Sequence, residues 1–250
     1  MKKVISFSLW GDNPKYLNGA IRNAELAREL FSDWTCRFYV GSSVSFKIIE
    51  ELTNPIPKQW SRYKIDKGNI IGLCGSFNPL IEIYHMDFPG DWRMMFDRFR
   101  PVFDQDVDVT IVRDCDSRLS LREKAAVDEW LASPYGFHTM NDHYLHSVPI
   151  MGGMWGMKRD TLPAFQYLME NWIKEDRLQT DQEFLAQEIW PRVKDNCLRH
   201  DDGYYNHLWG GKPFPTPFDG INFVGASYGS DDKINQQQVD ELQKFLRKRR

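Results

Sequence analysis

Residues 107–118 read VDVTIVRDCDSR. The first six residues are rich in β-branched side chains and alternate in polarity, so they predict a strand, Val107–Val112, that emerges from the core. Two carboxylates, Asp114 and Asp116, follow at once and are separated by a single residue. Ligands of open α/β sheets bind outside the carboxyl ends of the strands. The stretch therefore predicts a strand of such a sheet with a ligand site at its end.

The D-x-D pair offers hard oxygen ligands of the kind that Mg²⁺ and Mn²⁺ prefer, and these ions usually keep positions for water and substrate phosphates. Arg113 and Arg118 flank the pair and suit an anionic ligand beside the metal. A D-x-D by itself also occurs in many solvated surface loops. The position after a buried-looking strand favours the metal site, and the residues alone leave both interpretations open.

The N-terminal segment predicts a βαβ unit. Val4–Leu9 and Cys36–Val40 are apolar, strand-like runs. Pro14 stands where a first helical residue belongs. Apolar residues then recur at helical spacing at Leu17, Ala20, Ile21, Ala24, Ala27 and Phe31. Strand, helix and strand in about 40 residues indicate a parallel sheet, because parallel neighbours need such a crossover.

Further helices are predicted over 44–52, 92–101, 120–133, 161–175, 181–190 and 235–249. The third of these begins with a capping box, Ser120-x-x-Glu123, so we expect Glu123 to be a helix cap rather than a catalytic acid. Residues 58–90 show no clear period and predict no element. We expect one domain over 1–250, with about 1–118 as a nucleotide-sugar-binding half and about 119–250 as an acceptor-binding half.

Composition excludes several classes of protein. The 250 residues carry 32 Lys and Arg against 35 Asp and Glu, and the net charge of −3 gives no general attraction to nucleic acid or membrane. The four cysteines form no C-x-x-C pair, so we expect reduced thiols rather than a zinc site or a disulfide framework. No run approaches the ~18 apolar residues of a membrane span. A cytoplasmic protein is the default expectation.

Other polar segments are candidates for a substrate site. Three His and an Asp lie within 138–146, without the spacing of a zinc helix, which favours substrate recognition. Gly152 and Gly153 allow close backbone approach or form a turn, and Trp155 offers a flat face of the kind that packs on sugar rings. Asp181 at a helix start is either a partner of the helix dipole or a general base.

Together these motifs resemble the nucleotide-sugar glycosyltransferases of the GT-A fold found in bacteria and large DNA viruses. The resemblance rests on RDCDSR at 113–118 with the helix after it, and on Asp142-His143, GGMWG at 152–156, Asp181-Gln182, His200-Asp201 and the opening FSLWGD at 7–12. It departs at Cys115, where a smaller residue is expected. It implies a Rossmann-like α/β fold with a mixed, mainly parallel sheet flanked by helices.

The resemblance also implies roles for particular residues. Mn²⁺ or Mg²⁺ would bind Asp114 and Asp116 and bridge the diphosphate of the donor, with His200 preferred over His207 as a third ligand. Residues expected at the nucleotide sugar are Ser8, Leu9, Trp10, Gly11, Arg93, Arg113, Asp114 and Arg118. Residues expected at the transferred sugar and the acceptor are Asp142, His143, Gly153 and Trp155. Asp142 and Asp181 are the catalytic candidates, and Asp181 would be the base if the reaction inverts stereochemistry.

The expected partners are a nucleoside diphosphate sugar and a glycan or other hydroxyl-bearing acceptor; a nucleic-acid acceptor is allowed but not indicated. Two other functions are compatible with the sequence. Clustered carboxylates with Arg also serve metal-dependent phosphoesterases and nucleases, although a second acidic cluster is missing beside the D-x-D. The 9 Trp, 10 Tyr and 16 Phe would also suit a carbohydrate-binding module without turnover. Dependence on metal and nucleotide distinguishes the three.

Overall fold

A β-sheet forms the centre of the computed structural model, which describes residues 1–53, 62–66, 69–73 and 81–249. Within these residues the sheet has nine strands in the order β3-β4-β5-β2-β1-β6-β8-β7-β9. The strands are β1 (Lys3–Leu9), β2 (Thr35–Gly41), β3 (Arg62–Asp66), β4 (Asn69–Leu73), β5 (Ile81–Met86), β6 (Val109–Val112), β7 (Phe137–Asn141), β8 (Trp155–Lys158) and β9 (Cys197–Asp201).

The sheet is mixed but mainly parallel. Strands β1, β2, β5 and β6 pair in parallel, as do β7 and β9. Strands β4 and β8 run opposite to the others. The expected fold class, an α/β unit with a mixed, mainly parallel sheet flanked by helices, is confirmed.

Helices connect the strands. The α-helices in the described ranges are α1 (Pro14–Leu30), α2 (Phe46–Thr53), α3 (Leu121–Ala132), α4 (Phe165–Asn171), α5 (Thr180–Phe184), α6 (Trp190–Val193), α7 (Asn206–Trp209) and α8 (Gln236–Lys248). A 3₁₀-helix covers Trp92–Phe103, a π-helical turn covers Leu185–Ile189, and a short 3₁₀ turn covers Lys194–Asn196.

Several predicted elements have different limits in the structure. The helix predicted over 161–175 is reduced to α4, which begins after a turn at Pro163. The helix predicted over 181–190 continues through α6 and widens into the π-helical turn before Pro191, which has no N–H to donate. Strands β3 to β5 lie in the segment without a predicted element. Residues 54–61, 67–68 and 74–80 of this region fall outside the described residues.

Two apolar layers cover the sheet. Successive residues of a strand point to opposite faces, and Ile111 and Val112 of β6 accordingly enter different clusters. One cluster joins β1 and β2 to α1, α2 and α3, and the other joins β7 and β8 to the 3₁₀-helix, α4 and α5. No helix in the described part of the chain has the length and apolar character that a membrane crossing requires. Cys36, Cys115 and Cys197 are free thiols.

Candidate active site

A cleft of about 520 Å³ opens where β1 and β6 end. These strands are parallel neighbours, so their carboxyl ends meet at one edge of the sheet. Residues 8–13 line the cleft from β1 and residues 114–116 line it from β6. The remaining walls come from Tyr16 of α1, from the 3₁₀-helix, from Met151 and Gly152 before β8, and from Leu178, Gln179, Asp181 and Gln182 around the start of α5. The D-x-D therefore lies in a cleft, as its place after a strand indicated.

The loop after β1 is shaped by local hydrogen bonds. Asn13 caps α1 by accepting a hydrogen bond from the Lys15 amide, and Pro14 begins the helix. Gly11 has a φ of +74°, in the left-handed region that favours glycine. The Ser8 hydroxyl donates to the Met94 carbonyl at 2.6 Å, which fixes this strand end to the 3₁₀-helix. The hydrogen bond of Ser8 and the backbone conformation of Gly11 thus fix the shape of this part of the cleft wall.

Aromatic rings form another part of the wall. Trp10, Tyr16 and Trp92 line the cleft. Trp10 and Trp92 meet edge to face with ring centroids 6.0 Å apart. Such flat, partly exposed faces pack well on a planar ligand group. The cleft therefore combines an aromatic wall with the carboxylates of the D-x-D.

The middle residue of the D-x-D anchors it to β1. Cys115 is buried, and its thiol donates to the Ser8 carbonyl at 3.3 Å. Burial raises the pKa of this thiol, so the group stays neutral. With its central side chain held inward, the motif presents Asp114 and Asp116 to the cleft.

Arg98 bridges two carboxylates in the cleft. Its guanidinium donates to Asp114 and, at 2.7 Å, to Oδ2 of Asp181, and its side chain is only 2% exposed. It was not among the expected site residues. The sequence feature that could have indicated Arg98 is its position three residues after Met95 and six after Trp92. All three residues line the cleft. That spacing follows one face of a 3₁₀-helix, whereas a prediction of an α-helix places these residues on diverging faces.

The surroundings of Asp116 disfavour its negative charge. Burial, and then the neighbouring Asp114 carboxylate, raise the pKa of Asp116, although Lys15 lies 2.6 Å from Oδ2 and opposes this shift. A carboxylate in such surroundings is stabilised by any further positive charge. The pair is therefore suited to a divalent cation.

Asp181 lies in the first turn of α5 and lines the cleft. Burial raises its pKa, while Arg98 opposes the shift. Gly152 makes room for this arrangement, because a Cβ there would lie 2.8 Å from Oδ2 of Asp181 and 2.9 Å from Nη2 of Arg98. A Cβ on Gly153 would overlap the Asp114 carboxylate. The glycine turn and the two carboxylates therefore fit one another closely.

The residues present fit a metal that takes most of its ligands from outside the protein. Asp114 and Asp116 supply carboxylate oxygens at the cleft. In the described ranges, the cleft included, no group of three or more His, Cys, Asp and Glu side chains is arranged to hold a metal. Mg²⁺ is commonly bound by one or two carboxylates together with water and substrate phosphates. The pair meets that requirement.

The structure places neither candidate histidine at the D-x-D. His200 lies on β9, is buried, and has its ring nitrogens 2.8 Å from His138 and 2.9 Å from Glu129. Strand β9 pairs with β7, and two strands separate it from β6. His207 is exposed on α7. The expectation of His200 as third ligand is corrected by this sheet order, since the pairing of β9 carries the residue away from the cleft.

Three expected arginines also lie outside the cleft lining. Arg93 is half-exposed and pairs with Asp91. It does not line the cleft, because the 3₁₀ spacing turns Trp92 towards the cleft instead. Arg113 is buried and pairs with Glu123. Arg118 donates to Asp232 at 2.7 Å and to main-chain carbonyls. The last two connect the loop to other elements of the fold rather than facing the cleft.

The candidates expected at the sugar and acceptor are buried in neighbouring layers. Trp155 is fully buried and stacks on Phe137 with centroids 5.4 Å apart, so its ring is part of the core. Asp142 accepts two hydrogen bonds of 2.7 Å from Arg122. His143 lies 3.2 Å from the Gln238 carbonyl. Of this group, Gly153 lies against Asp114, whereas the side chains of Asp142, His143 and Trp155 are buried and do not line the cleft.

Comparison with known proteins gives similarity in fold only. No protein-family model matches the sequence, and no curated protein matches it. Among solved structures, the chain is similar to a glycosyltransferase involved in glycosylation of the major capsid of PBCV-1, at 12% identity over 86% of this chain and 91% of that one, with a TM-score of 0.47.

It is also similar to the mannosyltransferase PcManGT from Pyrobaculum calidifontis, solved with GDP-Man and Mn²⁺, at 11% identity over 80% of this chain and 55% of that one, with a TM-score of 0.47. A 4-diphosphocytidyl-2C-methyl-D-erythritol synthase from Anaerococcus prevotii matches at 7% identity over 98% of both chains, with a TM-score of 0.44. Identities and scores of this size carry no conclusion about activity.

Proposed function

We propose that this chain is a metal-dependent glycosyltransferase that moves a sugar from a nucleoside diphosphate sugar to a hydroxyl group of an acceptor. One observation carries the proposal: a single cleft at a strand end joins an aromatic wall to a pair of carboxylates. A nucleoside diphosphate sugar has a matching layout, with a planar base at one end and a diphosphate that needs a cation. The resemblance of the D-x-D and its neighbours to GT-A enzymes supports the same function.

In this proposal Trp10, Tyr16 and Trp92 pack on the base, and the strand end at Ser8 lines the nucleoside. Asp114 and Asp116 would hold Mn²⁺ or Mg²⁺. The cation would supply positive charge against the negative charge that develops on the leaving diphosphate. Arg98 adds a fixed guanidinium to the same wall and holds Asp114 and Asp181 in place.

Asp181 is the candidate base. Its carboxylate lines the cleft and its pKa is raised by burial, and both features favour acceptance of a proton from an attacking hydroxyl. This role belongs to an inverting reaction. In a retaining reaction, Asp181 would orient the acceptor hydroxyl and take no proton. Its hydrogen bond to Arg98 orients the carboxylate in either case.

The other two functions have less support. Hydrolysis of a phosphodiester by two metals calls for a second group of ligands, and none accompanies the D-x-D in the described part of the chain. A carbohydrate-binding module needs only aromatic faces, whereas here Trp10 and Trp92 share the cleft with the carboxylates of the D-x-D. Trp155 and the rings around it form the core.

The experiment is a thermal-shift screen of nucleoside diphosphate sugars with and without Mn²⁺, followed by mass spectrometry of acceptors. A donor at about a hundred times its Kd stabilises a protein by about 2.7 kcal/mol, which raises Tm by roughly 5 °C or more at this size. Asp116→Asn should remove the Mn²⁺-dependent part of the shift. Asp128→Asn on α3, an exposed carboxylate outside the cleft, is the matched control. If no nucleotide sugar stabilises the wild-type protein, the proposal is wrong.

A further inference from the structure

A lysine side chain forms an ion pair with Asp116, a candidate metal ligand. Nζ of Lys15 lies 2.6 Å from Oδ2 of Asp116, and the lysine side chain is 32% exposed. Lys15 belongs to the first turn of α1, directly after the loop that lines the cleft. An ammonium and a divalent cation on the same carboxylate oxygen repel each other, so each weakens the binding of the other. A metal at Oδ2 of Asp116 is therefore bound more tightly when the lysine moves away.

Lys15 is free to move in a way that Arg98 is not. The Arg98 guanidinium is buried and donates to Asp114, to Asp181 and, at 3.3 Å, to the Arg113 carbonyl. Within the described residues, the Lys15 ammonium contacts Asp116 and the ring of Tyr16, at 5.3 Å from the centroid. A lysine has a flexible four-carbon stem and a compact charge. Of the two cations on the D-x-D, Lys15 is the exchangeable one.

A second cavity gives the lysine room. It has a volume of about 340 Å³ and is lined by Lys15, Tyr228 and Lys233 among others. The Tyr228 amide donates to the Asp116 carbonyl at 2.8 Å, so this cavity adjoins the D-x-D. Lys15 thus lines this second cavity, while its partner Asp116 lines the cleft.

We propose that Lys15 is an exchangeable counter-ion. It holds the Asp116 carboxylate before the cation binds, and on metal binding it transfers its hydrogen bonds to the diphosphate of the donor. The inference rests on the proposed function, because it needs a cation at Asp116 and a diphosphate beside it. It makes Lys15 a binding residue for the phosphates and a competitor of the metal.

The first measurement is binding of Mn²⁺ alone, read from the electron paramagnetic resonance signal of free Mn²⁺. Lys15→Met should bind Mn²⁺ about two- to tenfold more tightly than wild type, since a partly exposed ion pair no longer has to break. Lys15→Arg should stay close to wild type. Lys124→Met is the matched control, because Lys124 pairs with Asp128 at 2.6 Å on α3, away from the cleft. Far-UV circular dichroism confirms that each variant is folded.

The second measurement is binding of pyrophosphate at saturating Mn²⁺. Lys15→Met should lose about tenfold in affinity, the effect of one charge-assisted hydrogen bond. The exchange is disproved if the Mn²⁺ affinity of Lys15→Met is unchanged or weaker, or if its pyrophosphate affinity equals that of wild type. A different pattern rejects the proposed function: wild type and Asp116→Asn would then bind Mn²⁺ equally, or neither would bind it.

Discussion

Trp10 and Trp155 have the same side chain in opposite environments. Trp10 lines the cleft beside Trp92, whereas Trp155 is fully buried among Phe99, Phe137 and Phe165. A flat apolar ring is equally suited to a ligand and to a core. The residue type indicated a planar contact for Trp155, and the resemblance placed Trp10 at the nucleoside. The surroundings decided what each ring touches.

Replacement of each tryptophan by alanine should separate these two roles. Trp155→Ala should lower the free energy of unfolding by about 3–5 kcal/mol, because it leaves a cavity in the core. Trp10→Ala should lower it by about 1 kcal/mol or less, but should weaken nucleotide binding about tenfold through loss of stacking worth ~1–3 kcal/mol. Urea unfolding and titration with the nucleotide measure the two effects. Equal losses of stability in both variants would contradict this assignment.

His146 should make the folded state sensitive to acid. It is buried, its Nδ1 accepts a hydrogen bond from the Asp142 amide, and burial lowers its pKa from 6.5 to about 3. Because the folded pKa lies below the unfolded one, the stabilising contribution is complete above pH 6.5. It is lost progressively as the pH falls towards 3, while only the unfolded chain takes up the proton. From pH 7 to pH 5 the loss amounts to about 2 kcal/mol.

Urea unfolding at pH 7 and pH 5 tests this effect. The stability of wild type should fall between these values by about 2 kcal/mol more than that of His146→Gln, which cannot titrate. The buried His138 and His200 are present in both proteins and cancel in the comparison. His207→Gln, at an exposed position of α7, should keep the wild-type slope. A variant at His146 with an unchanged slope would contradict the prediction.

At the scale of elements, the helix start after the D-x-D has two functions at once. The Ser120 hydroxyl accepts a hydrogen bond from the Glu123 amide, and the Glu123 carboxylate accepts one from the Ser120 amide, so the predicted capping box is confirmed. The same carboxylate pairs with Arg113 at the end of β6, and both side chains are 2% exposed. The beginning of α3 is thereby fastened to the strand that carries the site.

Substitutions in this capping box should have unequal costs. Ser120→Ala should lower the free energy of unfolding by about 1 kcal/mol, the usual value of a helix cap. Glu123→Gln should cost about 3 kcal/mol or more, because it leaves the Arg113 charge buried without a counter-ion. Chemical denaturation gives both values. Similar losses in the two variants would mean that the ion pair adds nothing beyond the cap.

At the scale of the whole molecule, one sheet contains strands from both halves of the chain. Strand β6 from the first half pairs with β8 from the second over four residues. The cleft also takes its walls from both, since Asp114 faces the turn of Gly152 and Gly153. Neither half could keep the cleft intact without the other.

A continuous sheet predicts a single cooperative unfolding transition. Tryptophan fluorescence and far-UV circular dichroism should give coincident urea unfolding curves, because residues 1–118 and 119–250 both contribute strands to the same sheet. Mn²⁺ with a bound nucleotide sugar should shift both curves together to higher urea. Two separated transitions would instead indicate that the halves fold as independent domains.

Local patterns were enough for the elements that dominate the first half. Strand β1, helix α1, strand β2 and the strand before the D-x-D have clear period or cap signals, and each lies within a few residues of its prediction. Strands β7 and β8 lacked such a signal. They are short, and nearly all their side chains are buried on both faces, so polarity does not alternate along them.

The sequence by itself determined the α/β class, the βαβ start and the carboxylate pair at a strand end, because each depends on residues that are neighbours in the chain. Tertiary structure alone decided that Arg98 and Lys15 hold those carboxylates, that Trp155 belongs to the core, and that His200 lies two strands beyond β8. The physical reason is the order of strands in the sheet. Pairing of distant segments brings some polar residues to the cleft and removes others, and spacing along the chain does not record that order.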